Sequence, residues 1–355
     1  MCDKNSPCSA WNAISGTLFL APMAGYTDRA FCSIALDNGA DVAVSEMISI
    51  EALYRDNAKT LQMAFAADNA KVHAIQLFGS DFTKVDKAIA KIKECAPAII
   101  DFNCGCPVLK IIKSGAGSAL LKTPEKIYAI LSQIKKAVTT FQLNPIPKIS
   151  VKIRLGYDHN SINFIEVADA AIKAGIDMIT LHGRTKSDLY GGKANWEAIG
   201  ELKSYVMRVA PKVKVFGSGD LFTPIDGYKM FLTTNVDGIM YARGAIGNPW
   251  IFNQTKALLK TFPLSTYRQK PFDIEEARNF LSEQKPTVAT ILDTLLKHID
   301  LSIRVHGEKI GLNEMKKHIG GYLKGIPKAK SLRSQLLLSH DVGELTQLLL
   351  TLNNY

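Results

Sequence analysis

The chain has 355 residues, 47% of them hydrophobic, and a formal net charge of +10. This is enough apolar material for one large domain and one small one. No run of about 18 apolar residues occurs, Met1–Gly16 lacks an apolar signal core, and the six cysteines form no paired Cys-x-x-Cys modules. A membrane span, a secretory signal and a disulfide scaffold are therefore disfavoured, and a reduced, cytoplasmic protein is expected.

The charge and a pI near 9.2 point to an anionic partner, most economically nucleic acid. An ordinary basic enzyme has the same profile, so charge alone does not separate the two. The Cys104-x-Cys106 pair falls short of the four ligands a structural zinc needs, and no metal is expected.

Residues 1–16 read as an N-terminal extension. From Thr17 onward, β-like runs recur at Thr17–Pro22, Asp41–Ser45, Val72–Phe78, Ala98–Phe102, Lys148–Arg154, Met178–Leu181, Val213–Phe216 and Gly238–Tyr241. Helical patterns lie between them. Thr123-Pro124-Glu125 supplies an N-cap, an N1 proline and an early acid ahead of Ile127, Ile130, Leu131 and Ile134 on one face. Phe164, Val167, Ala168, Ala171 and Ile172 repeat that spacing, and Gly175 follows where a C-cap glycine belongs.

Eight strands alternating with helices predict an α/β fold, a (β/α)8 TIM barrel over 17–260. An open doubly wound sheet is the runner-up, but Ala21-Pro22-Met23-Ala24-Gly25 is not its Gly-x-Gly-x-x-Gly loop. Pro263 and Pro271 bracket a polar stretch read as a linker, 261–272. Beyond it the β-like runs stop. Val288, Ile291, Leu292, Leu295 and Ile299 mark one helix face, and Leu345, Leu348, Leu349 and Leu352 another, so 273–355 reads as a small C-terminal helical bundle. Arg304, Lys309, Lys316, Lys317 and Lys324 crowd this tail, with His298, His306, His318 and His340. A solvated helix face and an RNA-binding face both fit the cluster.

In such a barrel, chemistry gathers at the C-terminal ends of the strands. There the sequence places Pro22-Met23-Ala24, Gln76, Asn103 and Cys106, Lys152 and Arg154, His182-Gly183-Arg184, Ser218-Gly219-Asp220 and Ala242-Arg243. Cys104 reads as a small buried hydrophobe, whereas Gly105 and Pro107 put Cys106 on a loop. Lys152 inside a strand is costly to bury without a partner. Glycines after the last two strands, with Arg243, suit a phosphate. FMN fits that clamp, with Lys152 and His182 towards its ring, and so does a plain sugar phosphate.

The blocks Ala21-Pro22-Met23-Ala24-Gly25-Tyr26-Thr27-Asp28, Val44-Ser45-Glu46-Met47, Asp101-Phe102-Asn103-Cys104-Gly105-Cys106-Pro107, Gly117-Ser118-Ala119-Leu120-Leu121, Val151-Lys152-Ile153-Arg154, His182-Gly183-Arg184-Thr185 and Arg243-Gly244-Ala245-Ile246-Gly247-Asn248-Pro249-Trp250 occur in order. With them the chain resembles the tRNA-dihydrouridine synthases, most closely the bacterial B subgroup, from about Leu18 to Tyr322. The resemblance implies an FMN-bound barrel and a tRNA-binding tail. NADPH would reduce the flavin, which then passes hydride to C6 of a uracil. It implies Cys106 as the acid that protonates C5, and Asn103 and Arg184 as holders of the base. Pro22, Met23, Ala24, Gln76, Lys152, His182, Ser218, Gly219, Asp220, Ala242 and Arg243 would contact FMN. Lys316, Lys317 and His318 match the family's basic tail motif and would bind tRNA.

Two departures stand out: Ser218 where the family commonly has Asn, and Gly320-Gly321 ahead of Tyr322 where an aromatic is more usual. No membrane association and no stable protein partner is implied. Two rivals are kept. Another FMN barrel oxidoreductase acting on a small molecule would survive loss of the tail. A non-catalytic RNA-binding protein would be colourless and take up no FMN.

Overall fold

In the computed structural model, which describes residues 16–268, 271–326, 329–339 and 341–351, eight parallel strands close into one barrel. They are β1 (Thr17–Leu20), β2 (Val42–Ser49), β3 (His73–Phe78), β4 (Ile99–Cys104), β5 (Lys148–Arg154), β6 (Met178–His182), β7 (Lys214–Ser218) and β8 (Gly238–Tyr241). β8 pairs with β1 along Thr17–Leu20, which removes both sheet edges. The expected (β/α)8 architecture is the one observed. The extension 1–16, apart from Gly16, lies outside the described residues, as do Cys2, Cys8, His340 and Leu352.

Alternation along the strands separates core from site. Phe19, Val42, Val44, Ala74, Ile99, Met178, Phe216 and Met240 form the inner plug of the barrel. Their sequence neighbours across the pleat, such as Ile75, Ile100, Ile149, Ile179 and Ile239, pack outward against the helices. Continuing the same alternation upward turns Gln76, Asn103, Lys152, His182, Ser218 and Ala242 inward at the mouth. It turns Cys104 outward, into the helix-facing core.

Helices α1 (Arg29–Asp37), α2 (Val85–Ile92), α3 (Pro124–Thr140), α4 (Phe164–Lys173), α5 (Trp196–Val209), α6 (Pro224–Thr234) and α7 (Ile251–Thr261) surround the barrel. After β2, the short helices Ile50–Tyr54 and Ala58–Gln62 replace a full-length one. In α3, Ile127, Ile130, Leu131 and Ile134 are buried as the spacing predicts. Thr123 sits at its N-cap position but makes no side-chain cap, and its hydroxyl turns back to Leu120 instead. Gly175 follows α4 in the left-handed region.

The stretch read as a linker is not an extended connection. It holds the short helix Leu264–Tyr267, and α8 (Ile274–Glu283) then packs on the barrel, where Ala277 joins Tyr228, Leu258 and Phe262. The separately packed tail begins later, with α9 (Val288–His306), α10 (Glu308–Tyr322), α11 (Ala329–Leu338) and α12 (Val342–Leu350). Leu292, Leu295, Ile299, Met315, Ile319, Tyr322, Leu345 and Leu349 form its own core.

The tail docks on α1 and on the loop after β8. Lys297 pairs with Asp37 at 2.8 Å and His306 with Asp28 at 2.7 Å. Gly247 lies at φ +66°, and a Cβ there would stand 2.3 Å from the Gly321 backbone. This close backbone approach explains why glycine occupies 321 here: a larger residue would push the tail off the barrel.

Candidate active site

The site is built up from β4. Asp101 and Asn103 point inward, and fully buried Gln76 on β3 lies between them in hydrogen-bonding terms. Gln76 Nε2 donates to Asp101 Oδ2 at 2.6 Å, and Gln76 Oε1 accepts from Asn103 Nδ2 at 2.8 Å. Asn103 Oδ1 then accepts the backbone N–H groups of Gly105 at 3.1 Å and Cys106 at 2.9 Å. Burial raises the Asp101 carboxyl despite hydrogen bonds from Ser150 and Gln76.

The thiol loop is clamped from its other side as well. Ser118 donates to the Cys106 carbonyl through both its hydroxyl, at 2.9 Å, and its N–H, at 3.1 Å. Arg154 Nε donates to the Gly105 carbonyl at 2.8 Å, and its Nη1 reaches the carbonyls of Thr185 and Leu189. Cys106 is half-buried, and burial pushes its thiol up against the opposing pull of the Val108 N–H, Arg154 and Lys152. At neutral pH it carries its proton. Cys104 is fully buried, and burial pushes it well above the ordinary thiol range.

Lys152 stands opposite Asn103 across the β4–β5 ladder. Burial, with Arg154 beside it, pulls its ammonium down to about 8. Asp101, one inward position deeper on β4, is the acid it feels, yet Lys152 makes no hydrogen bond or ion pair among the described residues. An inward, half-buried cation without a partner is a site for an anion. His182 lies one strand further round. Burial, then Lys152 and Arg154, hold it well below the usual histidine range, so it is a neutral imidazole.

At the far side of the mouth, Gly219, Asp220, Ala242 and Arg243 converge. Arg243 is exposed, stacks over Tyr190 at 4.6 Å and Phe222 at 5.1 Å, and lies 3.7 Å from Asp220. Pro22 and Met23 are half-buried on the loop after β1, and Ala24 is exposed there.

Four of the expected site residues are engaged within the protein itself. Gln76, read as a cofactor contact, has no exposed surface and spends its amide on Asp101 and Asn103. Ser218 is buried, with its hydroxyl donated to the Met240 carbonyl. Arg184, read as a holder of the base, is buried and committed to the carbonyls of Gly191 and Gly192 and to Asp220 at 2.8 Å. His318, read as an RNA contact, is buried against Phe31, His298 and Tyr26, and burial lowers it to about 4. Lys316 is half-buried and Lys317 exposed on α10.

Sequence reasoning missed Ser118, Glu46 and the structural use of Arg154. Glu46 and Ser118 lay in plain sight within motif blocks, but only the fold brings them to the site loops. A cavity of about 300 Å³ lies between β2, the 59–70 segment and the end of α9, with Thr27, Asp28 and Glu46 in its lining.

Comparison with known proteins supports one assignment. The sequence profile of the family described as Dihydrouridine synthase (Dus) matches residues 19–354. A relative named "Probable tRNA-dihydrouridine synthase" from Treponema pallidum is 42% identical, over 70% of this chain and 72% of its own. One named "tRNA-dihydrouridine synthase B" from Pseudomonas aeruginosa is 32% identical, over 90% of this chain and 87% of its own. The solved structure of DHODH from Eimeria tenella in complex with ferulenol has a TM-score of 0.50 at 12% identity, covering 71% of this chain and 82% of that one, a likeness of fold. With the profile spanning all but the first two residues of the barrel and nearly all of the tail, the chain belongs to the dihydrouridine synthase family.

Proposed function

We propose that this protein reduces the C5=C6 bond of uridines in tRNA to 5,6-dihydrouridine, as a B-like member of its family. The observation that carries the reading is the juxtaposition of a clamped, protonated Cys106 thiol with the unpartnered Lys152 ammonium at one barrel mouth. The residues present fit FMN. Ala242 and Arg243, faced by Gly219 and Asp220, would hold its phosphate. Lys152, His182 and the Pro22–Ala24 backbone would hold its ring. When bound and reduced by NADPH, FMN supplies a hydride for C6 of the uracil.

The chain's own residues then complete the reduction. The Cys106 S–H bond breaks as its proton passes to C5, and a thiolate is left behind. Arg154, Lys152 and the Val108 N–H lie where they stabilise that thiolate until solvent returns the proton. Asn103 has a second amide hydrogen to offer the base while its first holds Gln76.

A uracil must leave its stack to reach this depth. Exposed Val108 and Leu109 beside the thiol, and Tyr190 and Phe222 across the mouth, give the displaced RNA apolar and aromatic surface. The excess of basic residues supplies attraction for its phosphates. No helix among the described residues is long and apolar enough to cross a membrane. The test is to incubate the FMN-loaded protein with unmodified tRNA and NADPH and to map dihydrouridine. Its appearance at defined uridines supports the reading, and unmodified product with an FMN-loaded protein refutes it.

A further inference from the structure

Gly25 is held through both of its backbone polar groups by residues remote in sequence. Its N–H donates to a carboxylate oxygen of Glu46, which lies at the register shift of β2 between Val44 and Met47. Its carbonyl accepts from Lys317 Nζ at 3.1 Å. Lys317 belongs to α10 of the tail and is braced by Glu314 one turn earlier. Gly25 sits at φ +77°, a turn conformation that leaves its peptide groups pointing out of the loop. The same loop is gripped twice more by the tail, through the His306–Asp28 pair and the Tyr26–His318 ring contact.

We propose that Glu46 and Lys317 are positioning residues for the flavin: one from the barrel and one from the tail, they fix the two peptide groups that flank the Gly25 Cα, and with them Met23 and Ala24. The inference rests on the FMN reading above. It gives Lys317, expected from sequence to contact RNA, an intramolecular task. A merely solvated lysine would not hold the carbonyl of a glycine whose N–H is held by a half-buried acid. It also gives the tail a role at the cofactor as well as at the RNA.

The experiment measures FMN affinity of the full-length apoprotein by quenching of flavin fluorescence, with tRNA affinity measured in parallel. Glu46→Ala and Lys317→Ala should each weaken FMN roughly tenfold, the size of one charge-assisted hydrogen bond. Glu46→Gln should stay within about threefold of wild type, because its amide oxygen still accepts the Gly25 N–H. Lys317→Ala with unchanged FMN affinity overturns the proposal, whatever happens to tRNA. Equal losses in Glu46→Gln and Glu46→Ala overturn it too. If the wild-type protein takes up no FMN, the functional reading falls and this inference with it.

Discussion

The side-chain carbonyl of Asn103 accepts the backbone N–H of Cys106 at 2.9 Å, so the last inward residue of β4 sets the position of the thiol. The same amide hands its other end to Gln76, which is anchored on buried Asp101. Asn103→Ala would leave the N–H groups of Gly105 and Cys106 and the Gln76 carbonyl without their partner. A loss of about 3 kcal/mol in chemical denaturation is expected, since each orphaned group costs roughly 1–3 kcal/mol less what water recovers. Turnover should fall further than stability explains.

Cys106 should behave as a protonated, poorly nucleophilic thiol. Burial raises it above its ordinary value, so alkylation by iodoacetamide at pH 7.5 should be slower than that of free cysteine and should accelerate at higher pH. Proton delivery has the opposite dependence. It should be flat below the raised pKa and fall as the pH climbs through it, which a pH profile of single-turnover uridine reduction will reveal.

The Asp28–His306 pair should make tail docking pH-dependent. The Asp28 hydrogen bond raises His306 above its usual value, so the contribution is full below about pH 6.5 and fades as the pH rises through the raised pKa. Burial works to raise Asp28, but His306 and the Phe31 N–H leave it below the usual carboxylate range, so its share persists until the pH falls through that lowered value. His306→Gln should therefore cost roughly 1 kcal/mol at pH 6 and less at pH 8.5, a modest figure because the pair is partly exposed. Thermal melts at the two pH values measure it.

Gly247→Ala should separate tail from barrel. A methyl group at 2.3 Å from the Gly321 backbone, on a residue at φ +66°, costs about 2 kcal/mol or more. Limited proteolysis near residue 285 should accelerate while the barrel stays folded.

The barrel was legible because short continuous apolar runs recur eight times with helical segments between them. The pleat of β4 sends Cys104 and Asn103 to opposite faces. What was not legible arose from contacts between distant segments. Gln76 and Arg184 carry the polar groups a ligand would want, but hydrogen bonds to Asp101, Asn103, Gly191, Gly192 and Asp220 claim them first. His318 sits within a basic run, yet its face of α10 is the one that meets Phe31. Charge patterning reports a helix surface, not which part of it another domain covers. The same holds for the 261–272 stretch: its prolines end one helix, and α8 beyond them still packs on the barrel.

The central claim is that Cys106, and not Cys104, delivers the proton. Single-turnover reduction of uridine in unmodified tRNA by pre-reduced, FMN-loaded protein tests it most directly. The account predicts that Cys106→Ala slows the step on the order of a hundredfold or more while Cys104→Ala keeps near wild-type speed. A wild-type rate in Cys106→Ala would contradict it.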